Sequence, residues 1–91
     1  MDARRSIHVV LLTQASCAFC DDAKRLLERL AEEYPLRVDL VDLASPMGRG
    51  LAEDGGVLLP PGIFIEGEAF SYGRPSGRKL RKALAKRLAS A

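Results

Sequence analysis

The spacing of apolar residues changes between residues 13 and 17, and this change constrains the fold more than any other feature of the chain. Residues 7–13 (IHVVLLT) are nearly all apolar and rich in β-branched side chains, which predicts a central strand covered on both faces. From Cys17 to Tyr34 apolar residues recur at helical spacing until Pro35, so we expect a helix there. Residues 36–40 (LRVDL) alternate, which indicates an edge strand. Strand, helix and strand in this order predict a βαβ unit of an α/β fold.

The second half of the chain predicts a hairpin and a last helix. Residues 45–56 (SPMGRGLAEDGG) are rich in glycine and are expected to form a loop with at most a short helix. Residues 62–65 and 69–72 have strand character on either side of a turn at 66–68, which predicts a β-hairpin. Ser76 is a good N-cap, and Leu80, Leu84 and Leu88 form one apolar stripe, so a helix is expected over 76–88. The length predicts a single domain over residues 1–91.

The cysteine and histidine content narrows the chemistry. Two cysteines are too few for the disulfide framework of a small secreted domain, and with one histidine they are too few for a structural zinc site. Metal ligation is therefore not expected, which leaves redox chemistry, or no chemical role, for the pair. The longest apolar run, residues 9–12, is too short to cross a bilayer and no cleavage site follows it, so we expect a cytoplasmic protein that does not act at a membrane.

Cys17 and Cys20 form a C-x-x-C motif directly after a predicted strand and at the start of a predicted helix. Three residues are about one helical turn, so the two sulfurs can meet without movement of the backbone. The unpaired N–H groups of a helix N-terminus stabilise a thiolate, which makes Cys17 the expected nucleophile and Cys20 the resolving thiol. The alternative is two unrelated cysteines, one in a turn and one in a helix.

Three segments give the sequence a resemblance to the glutaredoxin family, and more loosely to thioredoxin, across residues 7–88. Residues 17–27 (CAFCDDAKRLL) are similar to the glutaredoxin pattern C-x-[YF]-C-x-x-A-K-x-L-L, residues 59–67 (LPPGIFIEG) to T-V-P-x-[IV]-F-I-x-G, and Tyr72-Gly73 to the glycine pair before the last helix. The resemblance implies a thioredoxin-like fold, a four-stranded mixed sheet with helices on both faces. It also implies that Pro61 is a cis-proline beside the sulfurs, or Pro60 if the register shifts by one, and that Ala18 and Phe19 lie at the substrate rim.

Departures from the family pattern concern the groups that hold glutathione. Gln14 stands where glutaredoxins commonly carry a lysine, and Pro60 lacks the N–H that the family offers to a substrate chain. The acidic residue after the glycine pair is missing. Gly73, Arg74 and Ser76 occupy this turn instead, where a helix N-terminus and a guanidinium can still bind a carboxylate. No tightly bound cofactor is expected, and glutathione is expected as co-substrate at a modified site.

The expected activity is that of a glutaredoxin-like enzyme that reduces protein disulfides or glutathione mixed disulfides, with glutathione or a thioredoxin-reductase-type protein as electron donor. Ala18 in place of proline leaves open an iron–sulfur scaffold ligated by glutathione, and a redox-inert binding module is a further alternative. A monomer is expected.

Residues 71–91 hold seven Lys and Arg residues and no acid, which indicates a solvated basic helix face or a docking surface for an acidic partner. A nucleic-acid site is not expected, because aromatic residues do not interleave with the cations.

Overall fold

The computed structural model describes residues 6–90, so residues 1–5 and 91 of the predicted domain lie outside the described part of the chain. The elements are β1 (Ile7–Thr13), α1 (Ala18–Leu30), β2 (Leu36–Asp42), α2 (Pro46–Gly55), β3 (Gly62–Ile65), β4 (Glu68–Tyr72) and α3 (Gly77–Ser90). Four strands form one sheet in the order β2-β1-β3-β4, in which β1 and β2 are parallel and the other neighbours antiparallel. The predicted central position of β1 and edge position of β2 are confirmed.

The two faces of the sheet are covered differently. Alternate residues of β1 and β3, among them Val9, Leu11 and Ile63, meet the apolar sides of α1 and α3 in one core. Phe64 points to the opposite face, where α2 lies so close that a Cβ on Gly55 would come within 2.8 Å of the phenylalanine ring. Helices therefore cover both faces, as expected. No helix among residues 6–90 has the length and apolarity that a membrane span requires.

The expectation of a loop with at most a short helix over residues 45–56 is wrong, because ten of these twelve residues form the helix α2. The side chain of Ser45 caps its start by accepting the Gly48 N–H, and Pro46 occupies the first turn, where a missing N–H costs nothing. Gly56 ends the helix in the left-handed conformation, with φ of 68°. Packing explains the glycine at position 48, because a Cβ there would overlap the carbonyl oxygen of Asp42 at the end of β2.

The ends of three other predicted elements shift by two residues or more, and the last helix runs to Ser90 instead of ending at residue 88. The first helix stops at Leu30 instead of Tyr34, because the chain tightens into turns in which the Glu32 and Glu33 N–H groups donate to the carbonyls three residues back. The second strand extends two residues past the predicted end, to Asp42, in continuous register with β1.

Candidate functional site

Cys17 and Cys20 form a disulfide at the N-terminus of α1, with their Cα atoms 5.2 Å apart. Cys17 is the N-cap: its backbone is extended (φ −124°, ψ 106°), and its Sγ accepts a hydrogen bond from the Cys20 N–H at 3.1 Å. The sulfur thus takes the place that a serine or aspartate oxygen usually takes at an N-cap. Ser16, directly before it, has the left-handed φ of 55°, and this turns the chain from β1 into the helix.

The two sulfur-bearing residues differ in their access to solvent. Cys17 is half-buried, whereas Cys20 is 0% exposed and packs within the apolar interior one turn along the helix. Ala18 and Phe19 are both exposed, and Phe19 keeps 42% of its surface open between the cysteines. A reagent or substrate can therefore approach the disulfide from the Cys17 side only.

Pro61 lies at the same end of the sheet as the disulfide. The Pro60–Pro61 peptide bond is cis, which answers the question that the sequence leaves open between the two prolines. Because Leu12 pairs with Gly62 in antiparallel register, Pro61 comes level with Thr13, the last residue of β1 before the cysteine loop. Pro61 is buried, while Pro60 is partly exposed.

The turn from β4 to α3 is joined to the cis-proline. The N–H of Gly73 donates to the carbonyl of Pro61 at 2.8 Å, and Gly73 itself is buried with φ of 78°. Ser76 caps α3 by accepting the Lys79 N–H at 3.2 Å, while Arg74 is exposed to solvent. The structure thus brings Gly73 to the site and places Arg74 and Ser76 on the turn that follows it.

Gln14 lies in the loop after β1, on the β2 side of the site. Its side chain is exposed and lines an open depression of about 350 Å³ together with Lys24 of α1 and Asp42 of β2. Sequence reasoning did not single out Lys24, although it is the lysine of the A-K step in the cysteine motif. A cation is therefore present near the position where Gln14 replaces the family's lysine, but it comes from the helix.

An apolar rim, defined here as Phe19, Leu58, Leu59 and Tyr72, lies at this end of the molecule. Leu58 and Leu59 are 78% and 48% exposed directly before the cis-proline, and Tyr72, paired with Gly62, is 44% exposed. Sequence reasoning missed Leu58, Leu59 and Tyr72 as site residues. Two adjacent leucines directly before two prolines, residues 58–61 (LLPP), were the feature of the sequence that could have indicated an exposed apolar surface here.

The site joins the βαβ half of the chain, which carries the cysteines, to the ββα half, which carries the cis-proline. This arrangement defines a thioredoxin-fold protein of the thiol–disulfide class. The chain belongs to the thioredoxin family: it is 30% identical over 82 residues to the thioredoxin of Methanocaldococcus jannaschii, an alignment that covers 90% of this chain and 96% of that protein. No protein-family model matches the sequence. The finer resemblance to glutaredoxins stays a prediction.

Solved thioredoxins share the fold. A mutant thioredoxin from Halobacterium salinarum NRC-1 superimposes with a TM-score of 0.70 at 20% identity, covering 94% of this chain and 78% of that one. Oxidised mitochondrial thioredoxin 3 from Saccharomyces cerevisiae gives a TM-score of 0.67 at 16% identity, covering 89% of this chain and 78% of that one. The predicted thioredoxin-like fold is confirmed.

Proposed function

We propose that the chain is a thiol–disulfide oxidoreductase that reduces disulfides in proteins. The observation that carries the proposal is the asymmetric disulfide, in which Cys17 is half-exposed at a helix N-terminus and Cys20 is fully buried one turn further along. An asymmetric pair of this kind assigns attack to one thiol and resolution to the other.

The reaction begins from the reduced pair. The Cys17 thiolate attacks one sulfur of the substrate disulfide, a mixed disulfide forms, and the other substrate sulfur leaves as a thiolate that takes a proton. Cys20 then loses its proton and attacks the Cys17 sulfur, which releases the second substrate thiol and closes the Cys17–Cys20 disulfide seen here. Two electrons pass to the substrate, and an electron donor must supply two more to reduce the Cys17–Cys20 disulfide before the next turnover.

The helix N-terminus supports the first step. In the disulfide form the Cys20 N–H already points at the Cys17 sulfur at 3.1 Å, and the same donor would stabilise negative charge on that sulfur after reduction. Asp21 in the first turn places a carboxylate nearby and opposes this effect. The proposal therefore assigns Cys17 the role of nucleophile.

Protein substrates are favoured by the apolar rim. Exposed apolar side chains around a reactive group gain free energy when a partner covers them, because apolar surface leaves water. The carbonyl of Pro60 can accept a hydrogen bond from an extended substrate chain, whereas its nitrogen has no hydrogen to donate. The rim and this acceptor together suit a polypeptide that carries a disulfide.

The electron donor is proposed to be a thioredoxin-reductase-type protein, in keeping with the family, with glutathione as the second candidate. Glutathione is supported by Lys24 beside Gln14 and by Arg74 with the capped N-terminus of α3, two places where a carboxylate could be held. The Cys20→Ser variant distinguishes the two donors, because a glutathione-dependent reaction can proceed through Cys17 alone.

The experiment is a turnover assay of wild type, Cys17→Ser and Cys20→Ser with each donor, on a protein disulfide and on a small aromatic disulfide. Cys17→Ser is expected to lose activity with both donors, whereas Cys20→Ser should retain activity only with glutathione. Full activity of Cys17→Ser would contradict the proposal.

The apolar rim is tested separately with Leu59→Ser and Tyr72→Ser. Both variants are expected to raise KM for the protein disulfide and to leave KM for the small aromatic disulfide unchanged, so the small substrate is the control for each variant.

A further inference from the structure

The sheet has one regular open edge, formed by β2. Among the strands of residues 6–90, β2 pairs with β1 alone, and it does so at all seven positions without a bulge. The opposite edge, β4, has a register shift between Ile63 and Phe64 of its partner strand, a distortion that commonly protects edges from further pairing. Residues 36–40 of β2 contain no lysine or proline that would do the same.

The backbone groups of β2 that face the open edge can be assigned from its pairing with β1. The Pro35 carbonyl accepts from Ile7, and the Leu43 N–H donates to Thr13, so the odd-numbered residues direct their polar groups toward β1. Successive residues of a strand alternate in this respect. Leu36, Val38 and Leu40 therefore direct their N–H and C=O groups outward.

The same three residues form an apolar row on the α1 side of the sheet. Leu36 and Val38 pack against the core, but Leu40 is 52% exposed, and the row borders an open groove of about 320 Å³ between α1 and β2. Arg37 and Asp39 lie on the opposite face, and both are exposed. The edge thus offers a ladder of backbone groups, one apolar face and one pair of opposite charges.

In place of the monomer expected from the sequence, we propose that β2 pairs in antiparallel register with β2 of a second copy of the chain, centred on Val38. A two-fold axis at Val38 places Leu36 of each copy opposite Leu40 of the other, and Arg37 opposite Asp39. The outward backbone groups of the three apolar residues then form about six hydrogen bonds. Asp39 Oδ2 already accepts from His8 Nε2 at 2.7 Å, which leaves Oδ1 to accept from the arginine.

The charges select this register among its neighbours. Pairing centred on Asp39 would bring two carboxylates face to face, and pairing centred on Arg37 would do the same to two guanidinium groups, and like charges directly opposite destabilise a sheet. On the helix side of the groove, the proposed axis brings Lys24 of one copy toward Glu28 of the other, since Lys24 lies near Leu40 and α1 runs antiparallel to β2.

The dimer leaves the redox sites open. The cysteine loop follows the C-terminal end of β1, and β2 runs parallel to β1, so an antiparallel β2–β2 contact places the two disulfides at opposite ends of an eight-stranded sheet. Each site is built from one chain, and the inference does not depend on the proposed function. The contact is short, so we expect a reversible dimer whose dissociation constant is micromolar or weaker.

Sedimentation equilibrium from about 10 μM to about 1 mM, with a reductant present to exclude cross-chain disulfides, tests the proposal. Arg37→Asp and Asp39→Arg are each expected to weaken dimerisation about tenfold or more, because two attractive pairs become repulsive, and the double variant should restore it. Arg78→Asp and Asp54→Arg, exposed residues on α3 and α2, are the charge-matched controls and should dimerise as wild type does.

Amide hydrogen exchange on the wild-type chain gives a second readout that needs no variant. Raising the concentration should slow exchange at Leu36, Val38 and Leu40, while Arg37 and Asp39, whose N–H groups point toward β1, should not change. A monomer at about 1 mM, protection at a surface other than β2, or a double variant that stays monomeric would each overturn the proposal.

Discussion

Cys17 combines three roles at one residue: it ends the loop after β1, caps α1 and carries the half-exposed sulfur of the disulfide. The extended backbone of an N-cap directs its side chain back over the first turn of the helix, and there the Cys20 N–H meets the sulfur. The geometry that begins the helix is therefore also the geometry that exposes one sulfur and polarises it.

In the reduced protein, Cys17 is expected to react with iodoacetamide far faster than Cys20. Cys17 is half-exposed and lies at a helix N-terminus that favours its thiolate, whereas Cys20 has no surface in contact with solvent. Mass spectrometry of peptides after timed alkylation at neutral pH measures the two rates. Equal rates at the two cysteines would contradict the asymmetry, and denatured protein, in which both sites should react alike, is the control.

At the scale of elements, α2 shows what sequence reading can and cannot supply. Its start and end signals, Ser45 before Pro46 and the Gly55-Gly56 pair, are visible in the sequence, but Gly48 and Gly50 lower helix propensity enough to hide it. Gly48 is explained only by the close approach of Asp42, a contact between two elements. Propensity describes one segment alone and cannot register such a contact.

Gly48→Ala is expected to destabilise the protein by about 1–3 kcal/mol, because its Cβ would push α2 away from the end of β2. Gly50→Ala is the matched control in the same helix. A Cβ at Gly50 meets nothing within 4 Å, so alanine should stabilise the protein by about 0.5–1 kcal/mol through its higher helix propensity. Urea denaturation followed by circular dichroism measures both, and equal effects of the two substitutions would contradict this account.

The last helix is tied to its neighbours by two ion pairs. Arg81 forms a two-point contact with Glu33 in the turn after α1, at 3.1 and 2.7 Å, and Arg87 contacts Glu68 of β4 at 2.7 Å. Two cations of the predicted basic face are thus engaged within the chain, whereas docking of an acidic partner on this face stays a prediction. The hydrogen bond and the positive charge of Arg81 lower the pKa of Glu33.

Because the pKa of Glu33 is lower in the folded than in the unfolded chain, its contribution to stability is present above about pH 4.3, the ordinary glutamate range, and is lost as the pH falls through the lower folded value. Glu33→Gln should therefore melt slightly below wild type near pH 7 and match it in strong acid. Glu32→Gln, a neighbouring exposed position, should match wild type throughout. Thermal unfolding across pH measures both. If Glu33→Gln still melted below wild type in strong acid, the difference in stability could not come from the charge of Glu33.

At the scale of the whole molecule, one apolar core joins α1, α3 and the sheet, and its members are readable from the sequence. The strand run 7–13 and the leucine spacing of both helices predict Val9, Leu11, Leu27 and Leu84 as core, and all are at most 1% exposed. Phe19 of the apolar rim is expected from the family resemblance, but Leu58, Leu59 and Tyr72 are not, because their exposure depends on how the loop before the cis-proline and β4 are arranged around the site. The resemblance to glutaredoxins limits the expected cis-proline to Pro61 or Pro60, and the sequence cannot separate these two because a cis bond can precede either proline.

Leu84→Ala is expected to destabilise the fold by about 2–5 kcal/mol, since Leu84 is fully buried and its removal leaves a cavity shared by α3 and the sheet. For a domain of this size each kcal/mol lowers Tm by roughly 4–8 °C. Leu88→Ala, one turn further along the same helix and only partly buried, is the control and should cost less. Calorimetry measures the two midpoints, and equal losses would contradict the burial argument.

The side of the sheet that α2 covers has a consequence for how sequences of this fold can diverge. The core shared by α1, α3 and the sheet contains no side chain of α2, and the one buried residue of α2 is Gly48. Selection on the stability of the core therefore acts on α1, α3 and the strands, but on α2 it acts mainly through two glycines that permit close approach, Gly48 and Gly55. At the exposed positions between these glycines, Arg49, Glu53 and Asp54, we expect substitutions to be tolerated, so relatives can acquire new partners on α2 without loss of the fold.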